Sequence, residues 1–252
     1  MEQRSSEWYR ARLGHITASE CSLLMKNHRE PMTPEEIVAH KALNPKSRAT
    51  LKEVPFSDAT FTYLNAKVME NYLPLQSDDV LSRNIVDDFV EQHNYTSRAA
   101  EWGVMMEDEA RNRYAELRGC QVEEVGFVPY DRFPKLVGGS PDGLVGDDGG
   151  IEIKCPFTLD KHMQHYLYVN YAQLRENEPE YYWQCVMNMM VTGRVWWDFV
   201  SYCPYVAASK QIKVLRIPRD ECDMRSLEDR ITLAVEYMRR MMEKIEMTPN
   251  II

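Results

Sequence analysis

No run of about 18 consecutive apolar residues occurs in the 252-residue chain, so no hydrophobic helix long enough to span a bilayer is encoded. The start, Met1-Glu2-Gln3-Arg4-Ser5-Ser6-Glu7, lacks the apolar core of a secretory signal, and a cytosolic location is the expectation. The six cysteines (Cys21, Cys120, Cys155, Cys185, Cys203 and Cys222) include no C-x-x-C pair. A zinc ribbon and a clustered iron–sulfur site are therefore left without ligands. Buried or neutral thiols are expected rather than disulfides. No Pro/Gly/Ser-rich linker, internal repeat or low-complexity tract divides the chain, which reads as one domain over 1–252. The phosphate loop G-x-x-x-x-G-K-[ST] is missing as well, so nucleotide triphosphate hydrolysis is not the energy source.

The composition that remains is globular, 44% hydrophobic and 27% charged. A net charge of −9 argues against a general nucleic-acid coat protein. It does not exclude an enzyme, because a metal-holding site needs its own local cluster of acids. Residues 6–14 read as a short helix ended by Gly14, and a second helix, capped by Thr17 or Ser19, is expected to run towards Met25. The proline-dotted stretch 27–98 reads as short helices joined by loops, with helices at 34–42 and 58–71. From 97 to 118, Trp102, Met106, Ala110, Tyr114 and Leu117 recur at helical spacing and Gly119 supplies the stop. Strands are expected at 121–130, 136–138, 150–156, 194–202 and 211–217, with helices at 180–192 and 226–247. The fold class is thus α/β, a mixed central sheet flanked by helices.

Two segments carry chemistry: Ser140-Pro141-Asp142-Gly143-Leu144 and Ile151-Glu152-Ile153-Lys154-Cys155. Strand alternation sends Ile151 and Ile153 to one face and Glu152 with Lys154 to the other. A turn at 147–150 makes a hairpin that returns Asp142 to the neighbourhood of Glu152. Two carboxylates beside an amine suit a hard divalent cation that polarises a phosphodiester. Alone, Pro-Asp-Gly is a turn and Glu-x-Lys a solvated strand face; joined by a short hairpin they favour a site. His15, His162 and His165 read as structural.

These residues resemble the PD-(D/E)xK nuclease superfamily, and more closely its lambda exonuclease-like branch, the YqaJ-type viral recombinases. Arg12-Leu13-Gly14-His15-Ile16-Thr17-Ala18-Ser19 is similar to the branch's N-terminal motif. Trp102-Gly103 with Glu107, Ala110 and Arg111 is similar to its helix motif, and Gln184 falls where the following helix carries a glutamine. The resemblance implies the PD-(D/E)xK fold, with Asp142, Glu152 and the Ile153 carbonyl binding Mg²⁺ (Mn²⁺ substituting) and Glu107 as a third carboxylate. Lys154 would position and activate water. Arg12, Ser19, Ser140 and Gln184 would hold a 5′-terminal phosphate, a chemically sensible set of one guanidinium, two hydroxyls and an amide. Arg12 also has Glu7 and Glu20 as rival partners, and Ser19 a rival role as helix cap. A helix beginning near Ser19 would add amides to the pocket.

The implied activity is ATP-independent 5′→3′ digestion of linear double-stranded DNA. It would leave 3′ single strands for an annealing protein in phage or prophage recombination, in the cytoplasm of a bacterial host. A trimeric ring around the duplex is implied too. The stretch 27–98 is longer than the corresponding part of lambda exonuclease and reads as a helical elaboration. Two rivals stand beside this reading. One is another PD-(D/E)xK nuclease, either a restriction-type endonuclease or a CRISPR-adaptation nuclease, the latter disfavoured by the cysteine spacing. The other is a catalytically inactive DNA-end-binding module, disfavoured by the intact Asp142, Glu152 and Lys154.

Overall fold

The computed structural model describes residues 2–75, 77, 79–93 and 97–249. In chain order the elements begin with α1 (Ser6–Arg12), β1 (Ile16–Thr17), a 3-10 turn over Cys21–Met25, β2 (His28–Pro31), α2 (Pro34–Leu43) and β3 (Leu51–Val54). Next come α3 (Asp58–Glu70), α4 (Val80–His93), α5 (Arg98–Arg118), β4 (Val128–Pro129), β5 (Val137–Gly139), β6 (Gly143–Val145) and β7 (Gly149–Lys154). The chain ends with α6 (Leu159–Leu167), α7 (Tyr171–Asn177), α8 (Pro179–Thr192), β8 (Trp196–Tyr202), β9 (Ile212–Pro218) and α9 (Glu221–Met247).

The principal sheet has the order β6-β7-β8-β9. β7 runs parallel to β8, and the outer pairs β6/β7 and β8/β9 are antiparallel. A parallel pair needs a long crossover, here α6, α7 and α8. A smaller sheet, β1-β5-β4, adjoins it. Two apolar cores lie on opposite faces of the principal sheet. Ile151, Ile153 and Val200 pack with Ala110 and Tyr114 of α5, whereas Phe199, Leu215 and Trp197 join the larger core under α8 and α9. The α9 stripe Leu227, Ile231, Ala234 and Met238 is fully buried, as its helical spacing requires.

Local signals account for several boundaries. The Ser97 hydroxyl accepts from Ala100 N at the start of α5, and Gly119 ends that helix at φ 61°, a conformation in which a side chain is strained. In β7 a Cβ on Gly150 would lie 2.3 Å from Trp197, so this glycine lets the indole seat against the strand. Thr33 and Glu36 close a capping box on α2.

Four expectations need correction. The 27–98 stretch is not purely helical: β2 and β3 pair antiparallel within it. Their sequences show no apolar alternation, and exposed charge pairs such as Arg29–Glu53 (2.8 Å) and Lys52–Glu30 (3.0 Å) accompany the pairing. The portions of that stretch at 76, 78 and 94–96 lie outside the described residues. The helix expected after Ser19 is only the five-residue 3-10 turn, whose N-cap is Glu20 without a side-chain capping bond. The strand expected over 121–130 shrinks to Val128–Pro129 plus one bridge from Glu123 to Leu144. Finally, Glu152 and Lys154 share a face as expected, but that face lies under α8, leaving Glu152 only 1% exposed.

Behind the α5 face, Asp198 on β8 is fully buried. It accepts from Tyr114 Oη (2.8 Å) and from Arg216 Nε (2.8 Å) and Nη2 (2.9 Å), tying α5 to β8 and β9. Removing Arg216 leaves a buried carboxylate short of its main counter-charge, whereas removing Asp198 leaves a guanidinium that is half exposed and reaches water. Arg216→Ala is expected to destabilise the fold by about 3 kcal/mol and by more than Asp198→Ala. Urea unfolding of the two variants checks the order, and a smaller loss for Arg216→Ala would contradict it.

Candidate active site

Asp142 follows β5 and immediately precedes β6, and the register of the β6/β7 hairpin, with Gly143 opposite Ile151, sets it beside Glu152. The Asp142 carboxylate accepts the Ile153 amide N–H at 2.6 Å, which fixes its rotamer against β7. Arg111 Nε donates to the Asp142 carbonyl at 3.0 Å, so α5 clamps the same loop from behind. On β7 the Lys154 ammonium bonds Glu152 Oε1 at 2.7 Å and Gln184 Oε1 at 3.2 Å. Asn188 Nδ2 donates to Glu152 Oε2 at 3.2 Å. Gln184 and Asn188 stand one helical turn apart on α8 and present one face to β7.

The electrostatics follow from burial and proximity. Desolvation pushes the Asp142 carboxyl well above its usual range, and the charges of Glu152 and Glu107 push it further. Glu152 is raised too, by burial against the opposing pull of Lys154. Burial alone would lower the Lys154 ammonium, but Glu152 and Asp142 outweigh it and hold Lys154 above the ordinary lysine value. Glu107 approaches from α5, its oxygens taken by Arg111 (2.9 Å) and by Arg4. Among the described residues no three His, Cys, Asp or Glu side chains converge closely enough to cage an ion. Two acids, a backbone carbonyl and space for water nevertheless form a hard-oxygen donor set, and the mutual repulsion that raises Asp142 is the condition a cation relieves.

A second cluster adjoins this one. Arg12 at the end of α1 donates to Ser140 Oγ (3.1 Å) and Ser19 Oγ (3.2 Å), and stacks 4.3 Å over Trp8. Trp8 Nε1 bonds the same Ser140 hydroxyl at 3.1 Å. Neither rival ion pair, with Glu7 or Glu20, forms among the described residues. Burial draws the Arg12 guanidinium below its ordinary value, with Glu20 opposing from a distance. A half-buried guanidinium bonded only to hydroxyls is short of an anion.

All nine residues singled out in the sequence line one cavity of about 550 Å³: Arg12, Ser19, Glu107, Ser140, Asp142, Glu152, Ile153, Lys154 and Gln184. The histidines lie elsewhere or serve structure. His162 and His165 both bond Ser201, and burial draws His165 down to about 3, which keeps it neutral. His15 bonds the Leu13 and Pro134 carbonyls.

The sequence reading gave no site role to four contributors. Arg4 adopts φ 66°, positive for a residue other than glycine, and its turn is pinned where Gln3 donates to the Val125 (2.9 Å) and Pro141 (2.7 Å) carbonyls. Nothing in the flanking sequence signals that turn. Asn188 was readable as Gln184 plus four, and Arg111 as Glu107 plus four. Tyr181 lies with its ring 4.9 Å from the Lys154 ammonium and lines the cavity.

Comparison with known proteins agrees with this geometry. A profile of the YqaJ-like viral recombinase domain matches residues 7–195. No curated protein matches the chain. Among solved structures, an alkaline exonuclease (LHK-Exo) from Laribacter hongkongensis is similar at 26% identity and a TM-score of 0.67, with 96% of each chain covered. The same exonuclease in complex with dAMP gives 26% identity, a TM-score of 0.66 and 96% coverage of each chain. A phage related exonuclease from Haemophilus somnus 129PT, at 14% identity and a TM-score of 0.58, shares the fold over 92% of this chain and 96% of its own. The architecture is of the PD-(D/E)xK type. The profile spans α1, the α5 face, the β6/β7 hairpin and α8, which are the elements that build the cavity, and the chain belongs to the YqaJ-like viral recombinase domain family.

Proposed function

We propose that this chain is a Mg²⁺-dependent exonuclease that digests linear double-stranded DNA from its 5′ ends and leaves 3′ single strands. The observation that carries the reading is the adjacency of two sites in one cavity: a carboxylate–lysine cluster and a half-buried guanidinium–hydroxyl pocket. The first suits a scissile phosphodiester, the second a terminal phosphate one nucleotide away. Asp142, Glu152 and the Ile153 carbonyl would hold the ion, and Glu107 would join them once Arg4 turns away. The bound ion supplies Lewis acidity at the phosphate and a more acidic water.

The side chains divide the remaining work. The Lys154 ammonium, steadied by Glu152 and Gln184, orients the attacking water and faces the charge that grows on the phosphoryl oxygens. Water's oxygen bonds to phosphorus, the P–O3′ bond breaks, and O3′ leaves with a proton. The shortened strand then ends in a new 5′ phosphate, which is the group that Arg12, Ser19, Ser140 and Gln184 suit. Each cycle thereby makes the ligand for the next. In this reading the working form is a trimeric ring around the duplex, in a bacterial host with a phage-derived annealing protein; family membership is the support. No described helix is long and apolar enough to cross a membrane.

Three outcomes are expected. Asp142→Ala and Lys154→Ala should each lower cleavage of 5′-labelled linear duplex by about 10³-fold, with circular dichroism unchanged. Closed circular DNA should stay intact with the parent enzyme; robust cleavage by either variant would refute the assignment. Arg12→Ala should reduce the preference for 5′-phosphorylated over 5′-hydroxyl ends by roughly tenfold or more, the scale of a lost charge-assisted hydrogen bond. Equal use of both ends by the parent would remove the pocket.

The third outcome concerns stability. An acid whose folded pKa lies above its unfolded value favours folding at low pH and loses that contribution as pH rises through the folded value. Because Asp142 is raised, the melting midpoint of the metal-free protein should fall across that window. Asp142→Asn should flatten the fall, and Mg²⁺ should raise the midpoint of the parent but not of the variant. Thermal melts in EDTA and in Mg²⁺ over a pH series measure this; a parent indifferent to Mg²⁺ would contradict it.

A further inference from the structure

Two of the four residues that would hold the terminal phosphate, Arg12 and Ser19, form a partition with space on both sides. Arg4, Trp8, Arg12 and Ser19 line the active-site cavity and also a second cavity of about 820 Å³. The second lies beyond Ser19, away from Asp142 and Lys154, and its far wall comes from α3 and α4. That wall belongs to the long 27–98 stretch, for which the cleavage chemistry gives no role.

The lining suits a base and sugar better than another phosphate. Rings of Trp8, Tyr9 and Phe89 face it together with Leu13, Met69 and Val90. Its two carboxylates are already engaged: Glu20 accepts from Thr17 (2.9 Å) and Tyr63 (3.3 Å), and Glu70 from the Gly14 N–H (2.7 Å) and Lys67 (3.1 Å). The volume lies within the usual range for small-ligand sites, roughly 300–1,000 Å³, and exposed rings are sequence-tolerant platforms for unpaired bases.

We propose that this second cavity is a subsite for one nucleotide lying 5′ of the anchored phosphate. The inference rests on the proposed exonuclease reading and adds to it that the anchor accepts an internal phosphodiester as well as a terminal monoester. A strand that begins with a 5′ phosphate puts that group on Arg12 and loses a mononucleotide. A strand that begins with a 5′ hydroxyl has no such group, so its first nucleoside enters the second cavity and its first phosphodiester takes the anchor. Hydrolysis then falls at the next phosphodiester: water bonds to that phosphorus, P–O3′ breaks, and a dinucleotide leaves. Later rounds release mononucleotides, because the strand now carries a 5′ phosphate.

The experiment compares matched linear duplexes with 5′-phosphate or 5′-hydroxyl ends under single-turnover conditions with Mg²⁺, with the first product identified by mass spectrometry. The expected first products are a mononucleotide and a dinucleotide respectively. Ala66→Trp fills the cavity from an exposed position on α3 and should slow hydroxyl-end initiation by about tenfold or more while leaving phosphate ends unaffected. Phe89→Ala, which removes a ring from the same wall, should act in the same direction. A free nucleoside as the first product, uncut hydroxyl ends beside well-digested phosphate ends, or unchanged hydroxyl-end initiation in both variants would overturn the subsite and leave the exonuclease reading standing. Failure to cut either end would overturn both.

Discussion

Like charges held together out of water are the constraint on which the rest of this structure depends. Asp142 and Glu152 are buried side by side with Glu107 near them; burial raises both carboxyls, and the charges of Glu152 and Glu107 add to the cost of ionising Asp142. Such a cluster persists only where the scaffold over-determines it. Here the hairpin register, the Ile153 amide and the Arg111 clamp on the Asp142 carbonyl hold one acid, while Asn188 and Lys154 hold the other. Arg4 and Arg111 neutralise Glu107. Amines and guanidiniums of the chain thus supply, around these acids, the kind of positive charge that a divalent ion would bring on the proposed reading.

The surrounding fold makes that cluster rigid. β7 is an interior strand, flanked by β6 and β8 and covered by α5 on one face and α8 on the other, so its side chains have little freedom to rearrange. Sites built on such elements hold their geometry better than sites on loops. The phosphate pocket is assembled differently, from the end of α1, the segment after β1 and the loop after β5. Its parts meet because β1 pairs with β5, bringing Ser19 and Ser140 to one end of the smaller sheet. The two proposed subsites thus rest on separate sheets, joined at the short link from Gly139 to Gly143.

How much of this could be read from the sequence depended on whether a local rule governed each part. Alternation in Ile151-Glu152-Ile153-Lys154 fixed which side chains share a face, and Gly119 and the apolar stripe of α5 fixed that helix. Alternation could not say that the polar face would be covered, because burial by α8 is a tertiary fact. The pair β2/β3 was illegible since its partners are charged rather than apolar, and α6 and α7 went unread although Leu159, Met163, Tyr166 and Leu167 of α6 stand at helical spacing, three of them exposed. Arg12 shows the opposite case: sequence offered Glu7 and Glu20 as partners, yet the folded chain gives the guanidinium hydroxyls and a ring. Arg4 was beyond any pattern, since its approach to Glu107 follows from a single left-handed residue and two bonds made by Gln3.

The chain's charge of −9 looks unsuited to a polyanionic substrate until the charges are placed. In the active-site cavity, Arg4, Arg12 and Lys154 stand against Asp142, Glu152 and Glu107, while Lys161 is paired with Glu178. The charged side chains of the cavity thus come close to balancing, and a bound divalent ion would make it clearly positive. On the proposed reading, attraction for the strand would depend on the ion that cleavage needs, and it would act only within about a Debye length, about 8 Å at physiological salt. Beyond that range the net charge of −9 opposes the approach of a polyanion. On that reading, charge placed in this way disfavours binding along the length of a DNA molecule and favours a strand end inside the cavity, which is what selection for ends requires.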